Sequence, residues 1–303
     1  METVSCNICS SCSQTRLTRC RDQVFGHSEE FQLVRCNDCE LVYLSPRPEK
    51  NEMGKYYPPG YQQEIRKLID RLRGDPILRR GLEMLARRRL PPRKPPGRVL
   101  EVGCSFGDYL GYLRRNGWDV EGIELDPDAS RYAREADLAV HEGDAERILP
   151  TLPSGRFDVV ALWHLIEHLY DPLAALQEIG RVLKPGGLLL MELPNFASLL
   201  AGRLGQAWFP LEVPRHLYHF TPVTISRLLS RAGFAGVSVR SLPAPEAIVW
   251  SLRLLRKRAG STSMQAQDFL RLNPLLAALF FPLSWVLSRM GRGDHMAVRA
   301  TRP

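Results

Sequence analysis

The sequence Val99-Leu100-Glu101-Val102-Gly103-Cys104-Ser105-Phe106-Gly107-Asp108-Tyr109-Leu110 passes from an apolar run through a turn of small residues into a helical pattern. The run ends in an acid, Glu101. Glycine adopts positive φ and has no Cβ, so Gly103 and Gly107 let the backbone approach a ligand closely. The segment predicts a strand, a binding turn and a helix. A turn of this kind that binds nothing is the alternative.

The order of residues in this turn differs from that of dinucleotide-binding proteins. Their fingerprint is Gly-x-Gly-x-x-Gly, whereas this turn reads Glu101-x-Gly103-x-Ser105-x-Gly107. The turn also lacks a cationic residue that could neutralise a pyrophosphate. It therefore favours a ligand without phosphates.

Composition places the chain among ordinary soluble proteins. It has 303 residues, 44% of them hydrophobic and 24% charged, and a formal net charge of +8. The charge permits nucleic acid, an acidic membrane surface or a phosphorylated substrate as partner, without choosing among them. The sequence contains neither a secretory signal nor an apolar run of about 18 residues. We therefore expect a cytoplasmic protein, with peripheral contact at the inner membrane face as a further option.

Cysteines are concentrated near the amino terminus. Six of the seven lie within the first 39 residues, which in a reducing compartment indicates a metal site and not disulfides. The pairs Cys6-x-x-Cys9 and Cys36-x-x-Cys39 each fit one tight turn, and four thiolates form the closed tetrahedral site of a structural zinc ribbon. Cys12 is an alternative ligand. Free or redox-active thiols are the other interpretation.

Composition shifts divide the chain into three parts. We predict a zinc ribbon over 1–45, a linker and basic helices over 46–96, and a main domain over 97–303 with inserts at 195–220 and 242–293. In the middle part, residues 46–63 read as an extended linker, and residues 64–90 have helical spacing with an arginine-rich face. That face is either solvated or a phosphate-contacting patch.

From residue 98 onward, short apolar strands alternate with amphipathic helices. This alternation predicts an α/β fold with a doubly wound, Rossmann-like sheet and helices on both faces. Glu124 follows the glycine turn by about 20 residues, the spacing at which an acid binds the hydroxyls of a ribose. Asp144 and the Ala145 backbone could hold the amine and a ring nitrogen of an adenine. These acids together indicate an adenosine without a pyrophosphate.

Five segments as a set resemble the motifs of class I S-adenosylmethionine (SAM) methyltransferases: Glu101-x-Gly103, Gly122-Ile123-Glu124-Leu125-Asp126-Pro127, Gly143-Asp144-Ala145, Phe157-Asp158-Val159-Val160 and Leu183-Lys184-Pro185-Gly186-Gly187. The resemblance covers residues 97–241. It implies a seven-stranded sheet with an antiparallel last strand, and SAM as the methyl donor. The cofactor contacts that it implies come from Glu101, Gly103, Ser105, Gly107, Glu124, Leu125, Asp144 and Ala145. A doubly wound protein for another nucleotide is the alternative.

Two further segments are similar to those of bacterial zinc-ribbon methyltransferases: Val42-Tyr43-Leu44-Ser45-Pro46-Arg47-Pro48 and Pro214-Arg215-His216-Leu217-Tyr218-His219-Phe220-Thr221-Pro222. Such proteins are associated with the assembly of surface glycans or secondary metabolites. The resemblance therefore implies a sugar, a glycan or a lipid-linked small molecule as the acceptor.

The segment His164-Leu165-Ile166-Glu167-His168 follows the fourth strand of the main domain, where this fold brings acceptor and methyl group together. Methyl transfer to oxygen needs a base, and histidine suits that role near neutral pH. We expect His164 to be the base, with Glu167 and His168 beside it. Glu167-His168 also resembles an element of metal-using methyltransferases, so a catalytic metal completed by His216 or His219 is an alternative. Otherwise these side chains brace the surrounding loops.

Both inserts are candidates for contact with the acceptor. Residues 195–220 are rich in aromatic residues, proline and histidine, which predicts a lid or an acceptor wall. Residues 242–293 contain a nearly uncharged run, from Leu275 to Leu287, that Pro282 interrupts. The run predicts an interfacial helix or a cover for a lipid-linked acceptor, and not a membrane span. A dimer contact or packing against the sheet is the plainer interpretation.

These features predict a SAM-dependent methyltransferase that carries a structural zinc ribbon and acts on a small molecule or a glycan. An RNA methyltransferase that uses the ribbon and the arginine-rich helices is one alternative, although nucleic acid is the less favoured partner. A non-catalytic SAM-binding or scaffold protein is the other. The sequence indicates no particular oligomeric state.

Overall fold

The computed structural model describes residues 1–75, 80, 81, 84, 87–91, 97–257 and 274–303. Much of the second predicted basic helix (76–79, 82–83 and 85–86) and the proline-rich linker (92–96) lie outside the described residues. The remainder contains two β-sheets and the helices that surround them. The division of the chain into three parts stays a prediction.

The strands, in chain order, are β1 (Gln14–Arg21), β2 (Glu30–Cys36), β3 (Val42–Leu44), β4 (Arg98–Val102), β5 (Asp119–Glu124), β6 (Ala139–Glu142), β7 (Phe157–Trp163), β8 (Leu183–Pro194), β9 (Tyr218–His219), β10 (Ala235–Leu242) and β11 (His295–Thr301). Seven of them form one sheet in the order β10-β11-β8-β7-β4-β5-β6. Strand β11 runs antiparallel to both of its neighbours, and β4 to β8 pair in parallel. The predicted seven-stranded sheet with an antiparallel last strand is confirmed.

The α-helices are α1 (Tyr61–Gly74), α2 (Asp108–Arg115), α3 (Pro127–Glu135), α4 (Ala145–Ile148), α5 (Pro172–Val182), α6 (Leu199–Leu204), α7 (Pro222–Arg231), α8 (Pro245–Lys257) and α9 (Pro274–Arg289). Short 3-10 helices cover Lys50–Tyr56, Leu149–Thr151, Ile166–His168, Gly205–Ala207 and Phe209–Leu211. Local caps determine where several helices begin. Asp126 accepts a hydrogen bond from the Ala129 amide at 2.8 Å, and proline occupies the next position.

The central strands are buried on both faces. Val99, Leu100, Val160 and Leu189 are 0% exposed, because helices cover the sheet on each side. Parallel strands in this situation have nearly continuous apolar sequences, in contrast to the alternating pattern of half-buried strands. Because β4, β5, β6 and β7 pair in parallel, their carboxyl ends lie at one edge of the sheet.

The amino-terminal segment forms a second, antiparallel sheet in the order β1-β2-β3-β9. Strand β9 belongs to the 195–220 insert, and Tyr43 and Val42 of β3 pair with its two residues. Arg47 supports this junction, because its Nη1 donates to the Tyr170 carbonyl at 2.9 Å and to the Tyr218 hydroxyl at 3.0 Å. The predicted acceptor wall and the predicted ribbon therefore share one sheet.

Residues 46–63 differ from the extended linker that the sequence predicted. Residues Lys50–Tyr56 form a 3-10 helix, and α1 begins at Tyr61. Tyr56 is 1% exposed and packs edge-to-face on Phe31, with ring centroids 5.5 Å apart. Aromatic burial folds this segment back against the ribbon, since tyrosine and phenylalanine bury large apolar areas.

The 242–293 insert contributes α8 and α9, which follow β10 and precede β11 in the chain. The two helices pack against each other. Ser284 of α9 accepts a hydrogen bond from the Ala244 amide at 2.7 Å, which ties the helix to the start of α8. Among the helices that the structure describes, none combines the length and the apolar character needed to cross a bilayer.

Candidate active site and metal centre

One cavity of about 830 Å³ lies at the carboxyl ends of the parallel strands. Ligands bind at this edge in doubly wound sheets, and a volume of about 300–1,000 Å³ is typical of small-molecule sites. Residues that sequence analysis singled out line it in two groups. The first is Gly103, Ser105, Glu124, Leu125, Asp144 and Ala145, and the second is His164 and His168.

The glycine turn brings backbone against the cavity. Gly103 has φ +75°, and a Cβ at this position would lie 3.1 Å from the Leu165 Cδ1 atom, which also lines the cavity. The amides of Gly103 and Cys104 both donate to the Ile123 carbonyl, at 2.8 and 3.0 Å. These two bonds hold the turn after β4 against the end of β5. A side chain at Gly103 would occupy part of the space that the turn leaves open.

Glu124 is positioned by its neighbours before any ligand binds. Its Oε2 accepts from the Ser105 amide at 2.7 Å, and its Oε1 accepts from the Asp126 amide at 2.8 Å. Burial raises the pKa of Glu124, against the backbone donors that favour its charged form. Each carboxylate oxygen has a second lone pair, so the side chain can still accept two further hydrogen bonds. This geometry fits the two hydroxyls of a ribose.

Asp144 caps α4 and also contacts the amino-terminal part of the chain. Its Oδ1 accepts from the Glu146 amide at 3.1 Å, and Lys50 Nζ lies 2.5 Å from its Oδ2. Lys50 and Arg215 are the Lys and Arg side chains among the described residues that line the cavity, and both are paired with carboxylates. The lining therefore suits an adenosine better than a pyrophosphate.

Glu101 and Gly107 are placed differently from the other predicted cofactor residues, because they are not among the residues that line the cavity. Glu101 is 4% exposed, and burial raises its pKa well above the ordinary range. Gly107 has φ +77° at the start of α2, and a Cβ there would lie 2.4 Å from Leu138 Cδ1. Both residues lie outside the cavity lining and support the glycine turn through packing.

His164 lines the cavity at the end of β7 with a left-handed backbone, φ 53°. Its amide donates to the Glu192 carbonyl at 2.8 Å, and its Nδ1 lies 3.7 Å from Glu167 Oε1. Glu167 is 1% exposed. Burial opposes the ionisation of Glu167, but the imidazoles around it lower its pKa to about 2. A carboxylate beside Nδ1 favours the tautomer in which Nε2 accepts a proton.

Glu167, His168 and His216 form a compact group whose ligand atoms lie within 4.8 Å of one another. The Nδ1 atoms of the two histidines contact backbone carbonyls, those of Arg215 and Pro210, at 3.0 and 2.8 Å. Burial lowers the pKa of each histidine to about 4. The group could hold a metal ion, or it could brace the loop that carries His216. His219 lies on β9, with its ring tilted against that of Phe196 at a centroid distance of 5.4 Å, and does not line the cavity.

The four predicted zinc ligands also come together. Cys6 Sγ lies 3.3 Å from Cys39 Sγ, and Cys9 Sγ lies 3.4 Å from Cys36 Sγ. All four sulfurs lie within 4.8 Å of one another. A tetrahedral zinc with Zn–S bonds of about 2.3 Å separates its sulfurs by about 3.8 Å, so small movements would admit the ion. Cys12 is exposed and does not belong to the group.

A family model described as a methyltransferase domain matches residues 71–239, more than half of the chain. The chain belongs to this methyltransferase family. Its sheet is that of the class I SAM methyltransferases, as the sequence motifs predicted. In this family the cavity edge described above is the expected place for the donor.

The chain spans about half the length of the curated relatives that it matches. It is 33% identical over 135 residues to malonyl-(acyl-carrier protein) O-methyltransferase of Serratia marcescens, which is 43% of this chain and 50% of that protein. It is 30% identical over 133 residues to a ubiquinone biosynthesis O-methyltransferase of Xanthomonas campestris, 42% of this chain and 56% of that one. A SAM-dependent methyltransferase structure from Archaeoglobus fulgidus has a TM-score of 0.52 and 22% identity, covering 74% of this chain and 94% of its own. That likeness concerns the fold.

Sequence reasoning missed several residues in and beside the cavity. Lys50, Tyr57 and Tyr61 line it, although their segment read as a linker. On the side of His164, the His295 ring lies 4.7 Å from the His164 ring, and His295 Nδ1 lies 3.7 Å from Glu246 Oε1. The cluster of tyrosines was the available signal for the first set. His164, Glu246 and His295 come from segments that are far apart in sequence, so no local signal predicted their contact.

Proposed function

We propose that the chain is an enzyme that transfers the methyl group of SAM to an oxygen of a small-molecule acceptor. The observation that carries this proposal is that a single cavity is lined both by the adenosine-type contacts of Glu124 and Asp144 and by His164. Membership of the methyltransferase family supports the reaction class. The names of two relatives, which are O-methyltransferases, support oxygen as the acceptor atom.

The residues divide the work between holding the donor and preparing the acceptor. Glu124 accepts from the ribose hydroxyls, Asp144 and the Ala145 backbone take the adenine edge, and the Gly103 turn lies against the remainder. SAM held there would supply an electrophilic sulfonium methyl group, and its transfer to an acceptor oxygen would break the carbon–sulfur bond and leave a thioether. His164 Nε2 takes the hydroxyl proton of the acceptor. The Glu167 carboxylate stabilises the resulting imidazolium, since it lies 3.7 Å from Nδ1.

The acceptor class that we propose is a sugar, a glycan or a lipid-linked small molecule. The similarity to zinc-ribbon methyltransferases supports it. The printed names of the relatives refer to a malonyl-acyl carrier protein and to ubiquinone biosynthesis, and neither name includes a sugar. Fractionation of the labelled product therefore identifies the acceptor without assuming its chemical class.

The test is transfer of radiolabelled methyl from SAM into a fractionated cell extract, followed by mass spectrometry of the labelled fraction. Wild-type protein should label a small-molecule, glycan or lipid fraction. His164→Gln should reduce the rate by about 10²–10⁴-fold while calorimetry shows unchanged SAM affinity. SAM binding without transfer into any fraction would support a scaffold protein. Label in the RNA fraction would support the RNA methyltransferase alternative.

The matched control for His164 is His141→Gln, which alters a histidine on β6 that does not line the cavity. This variant should retain the wild-type rate. Undiminished transfer by His164→Gln, or an equal loss in both variants, would contradict the role that we propose for His164.

A further inference from the structure

One side of the helical hairpin formed by α8 and α9 packs against the rest of the protein. On α8, Trp250 and Leu254 are buried with Ala207 in a separate apolar cluster. On α9, Ser284 and Leu287 are 1% and 5% exposed, and Ser284 accepts the Ala244 amide. These contacts set the rotation of α9 about its axis. The opposite side of the helix is therefore held toward solvent.

That opposite side is a continuous apolar stripe. Its members follow the helical spacing of four, four, three and four residues: Leu275, Leu279, Leu283, Val286 and Met290. Leu275 and Leu279 are 77% and 70% exposed, and the other three are at least 46% exposed. Phe281 and Trp285 lie outside this stripe and are also exposed, at 44% and 49%. Monomeric proteins rarely expose so many large apolar side chains together, so the stripe marks an interaction surface.

The charge of the insert selects among possible partners. Residues 242–293 contain seven basic side chains and two acids, Glu246 and Asp268. The insert therefore contributes +5 of the formal net charge of +8. Arg256 is exposed near the end of α8, and Arg289 is exposed in the last turn of α9, where its Cζ lies over the Trp285 ring at 5.7 Å from the centroid.

We propose that the α8–α9 hairpin docks the protein on an anionic lipid bilayer, with α9 lying in the interface. A second copy of the chain would bring the same positive charge to the contact, and a nucleic acid would leave the leucine stripe without a partner. The 16 residues of α9 extend about 24 Å, too short to span a bilayer but suited to lie along its surface. Arginine and tryptophan at the edge of the stripe match the headgroup layer.

The root of the hairpin lies beside the acceptor side of the cavity. Glu246, in the first turn of α8, is 3.7 Å from His295, whose ring contacts that of His164. Docking through α9 would hold this region near the membrane surface, where a lipid-linked acceptor resides. The docking proposal does not rest on the proposed methyl transfer, because binding to lipid is measured without substrate or SAM.

The test is flotation of the full-length protein with vesicles of pure phosphatidylcholine and with mixed vesicles of phosphatidylcholine and phosphatidylglycerol. Wild type should float with the mixed vesicles, less so at high salt, and stay at the bottom with phosphatidylcholine alone. Leu279→Asp should abolish flotation. Arg256→Gln should weaken binding to the mixed vesicles by about fivefold, the effect typical of one basic residue near an anionic membrane.

The matched control is Val223→Asp, which places the same charge at an aliphatic residue that is 53% exposed on α7, outside the hairpin. It should float like wild type. Thermal unfolding midpoints equal to that of wild type establish that each variant is folded. Failure of wild type to float with mixed vesicles would overturn the proposal, as would flotation of Leu279→Asp. So would a stable dimer in light scattering that Leu279→Asp converts to a monomer, since the stripe would then bind a second copy.

Discussion

The carboxylate of Asp22 and the guanidinium of Arg215 form an ion pair whose two side chains are 0% exposed. Arg215 Nη1 lies 2.7 Å from Asp22 Oδ2, and its Nη2 lies 3.1 Å from Oδ1. Asp22 belongs to the amino-terminal sheet segment, whereas Arg215 precedes His216 in the insert. The Arg215 carbonyl contacts His168 Nδ1. The pair therefore links the ribbon to the histidine group beside the cavity.

Loss of one partner in this ion pair should be costly. Asp22→Ala removes the two-point partner of buried Arg215 and leaves it only the longer contact with Glu212, whose Oε1 lies 3.3 Å from Arg215 Nε, so we expect a loss of about 3 kcal/mol in the free energy of unfolding. Urea denaturation followed by circular dichroism measures it. The control is Glu30→Ala, which removes the exposed pair with Arg21 and should cost less than about 1 kcal/mol. Equal losses in the two variants would contradict the account.

The glycine turn gives a prediction about backbone conformation and space. Gly107→Ala adds a Cβ at φ +77° and places it 2.4 Å from Leu138 Cδ1. Gly155→Ala, the control, has φ +63° with nothing within 4 Å of the added Cβ. Both substitutions should lose about 1–2 kcal/mol of stability from the left-handed backbone, and Gly107→Ala should lose about 1–3 kcal/mol more from the clash. Identical denaturation midpoints would refute the tight packing at Gly107.

Metal content tests the cysteine group. Wild-type protein purified without chelator should contain about one zinc ion per chain by mass spectrometry of the metal, because four thiolates close a tetrahedral site. Cys36→Ser should lose the zinc and lower the thermal unfolding midpoint, since a metal site of this kind contributes to folding. Cys12→Ser alters an exposed cysteine outside the group and should retain the zinc. Loss of zinc in Cys12→Ser would assign the site to a different set of ligands.

Buried His219 predicts a dependence of stability on pH. Burial, with a smaller contribution from His216, lowers the pKa of His219 from 6.5 to about 3. The folded protein therefore keeps His219 neutral, while the unfolded chain protonates it as the pH falls below 6.5. The free energy of unfolding is therefore highest above pH 6.5 and decreases as the pH falls from 6.5 toward 3. His219→Phe should reduce the slope of unfolding free energy against pH by up to about 1.4 kcal/mol per unit, measured by urea denaturation. An unchanged slope would contradict this.

Much of the main domain was predictable because its signals are local. The run from Val99 to Val102, the glycine turn and the acids at strand ends lie within short stretches, and each has a direct conformational or chemical meaning. The clustering of Cys6, Cys9, Cys36 and Cys39 was predictable for the same reason, since each Cys-x-x-Cys pair fits one tight turn. The structure brings these elements together at one sheet edge because parallel strands share their direction.

The contacts between the amino-terminal segment and the rest of the chain were not predictable. Strand β9 has two residues, too few for a periodic pattern, and it pairs with β3 across more than 170 positions in the sequence. The burial of Arg215 has no local sequence signal, because its charge is compensated by Asp22 from a distant segment. The position of Tyr57 and Tyr61 in the cavity lining also depends on contacts with distant segments, so their own segment does not reveal it. Long-range pairing of this kind leaves no trace in local periodicity.

Isothermal calorimetry with SAM tests the central claim most directly. Wild type should bind SAM with saturable heat. Glu124→Ala should weaken binding by at least about tenfold, because it removes the carboxylate that we propose accepts from the ribose hydroxyls. Gly103→Arg should abolish binding by filling the space beside Leu165. Absence of SAM binding by the wild type, or undiminished affinity in both variants, would contradict the account.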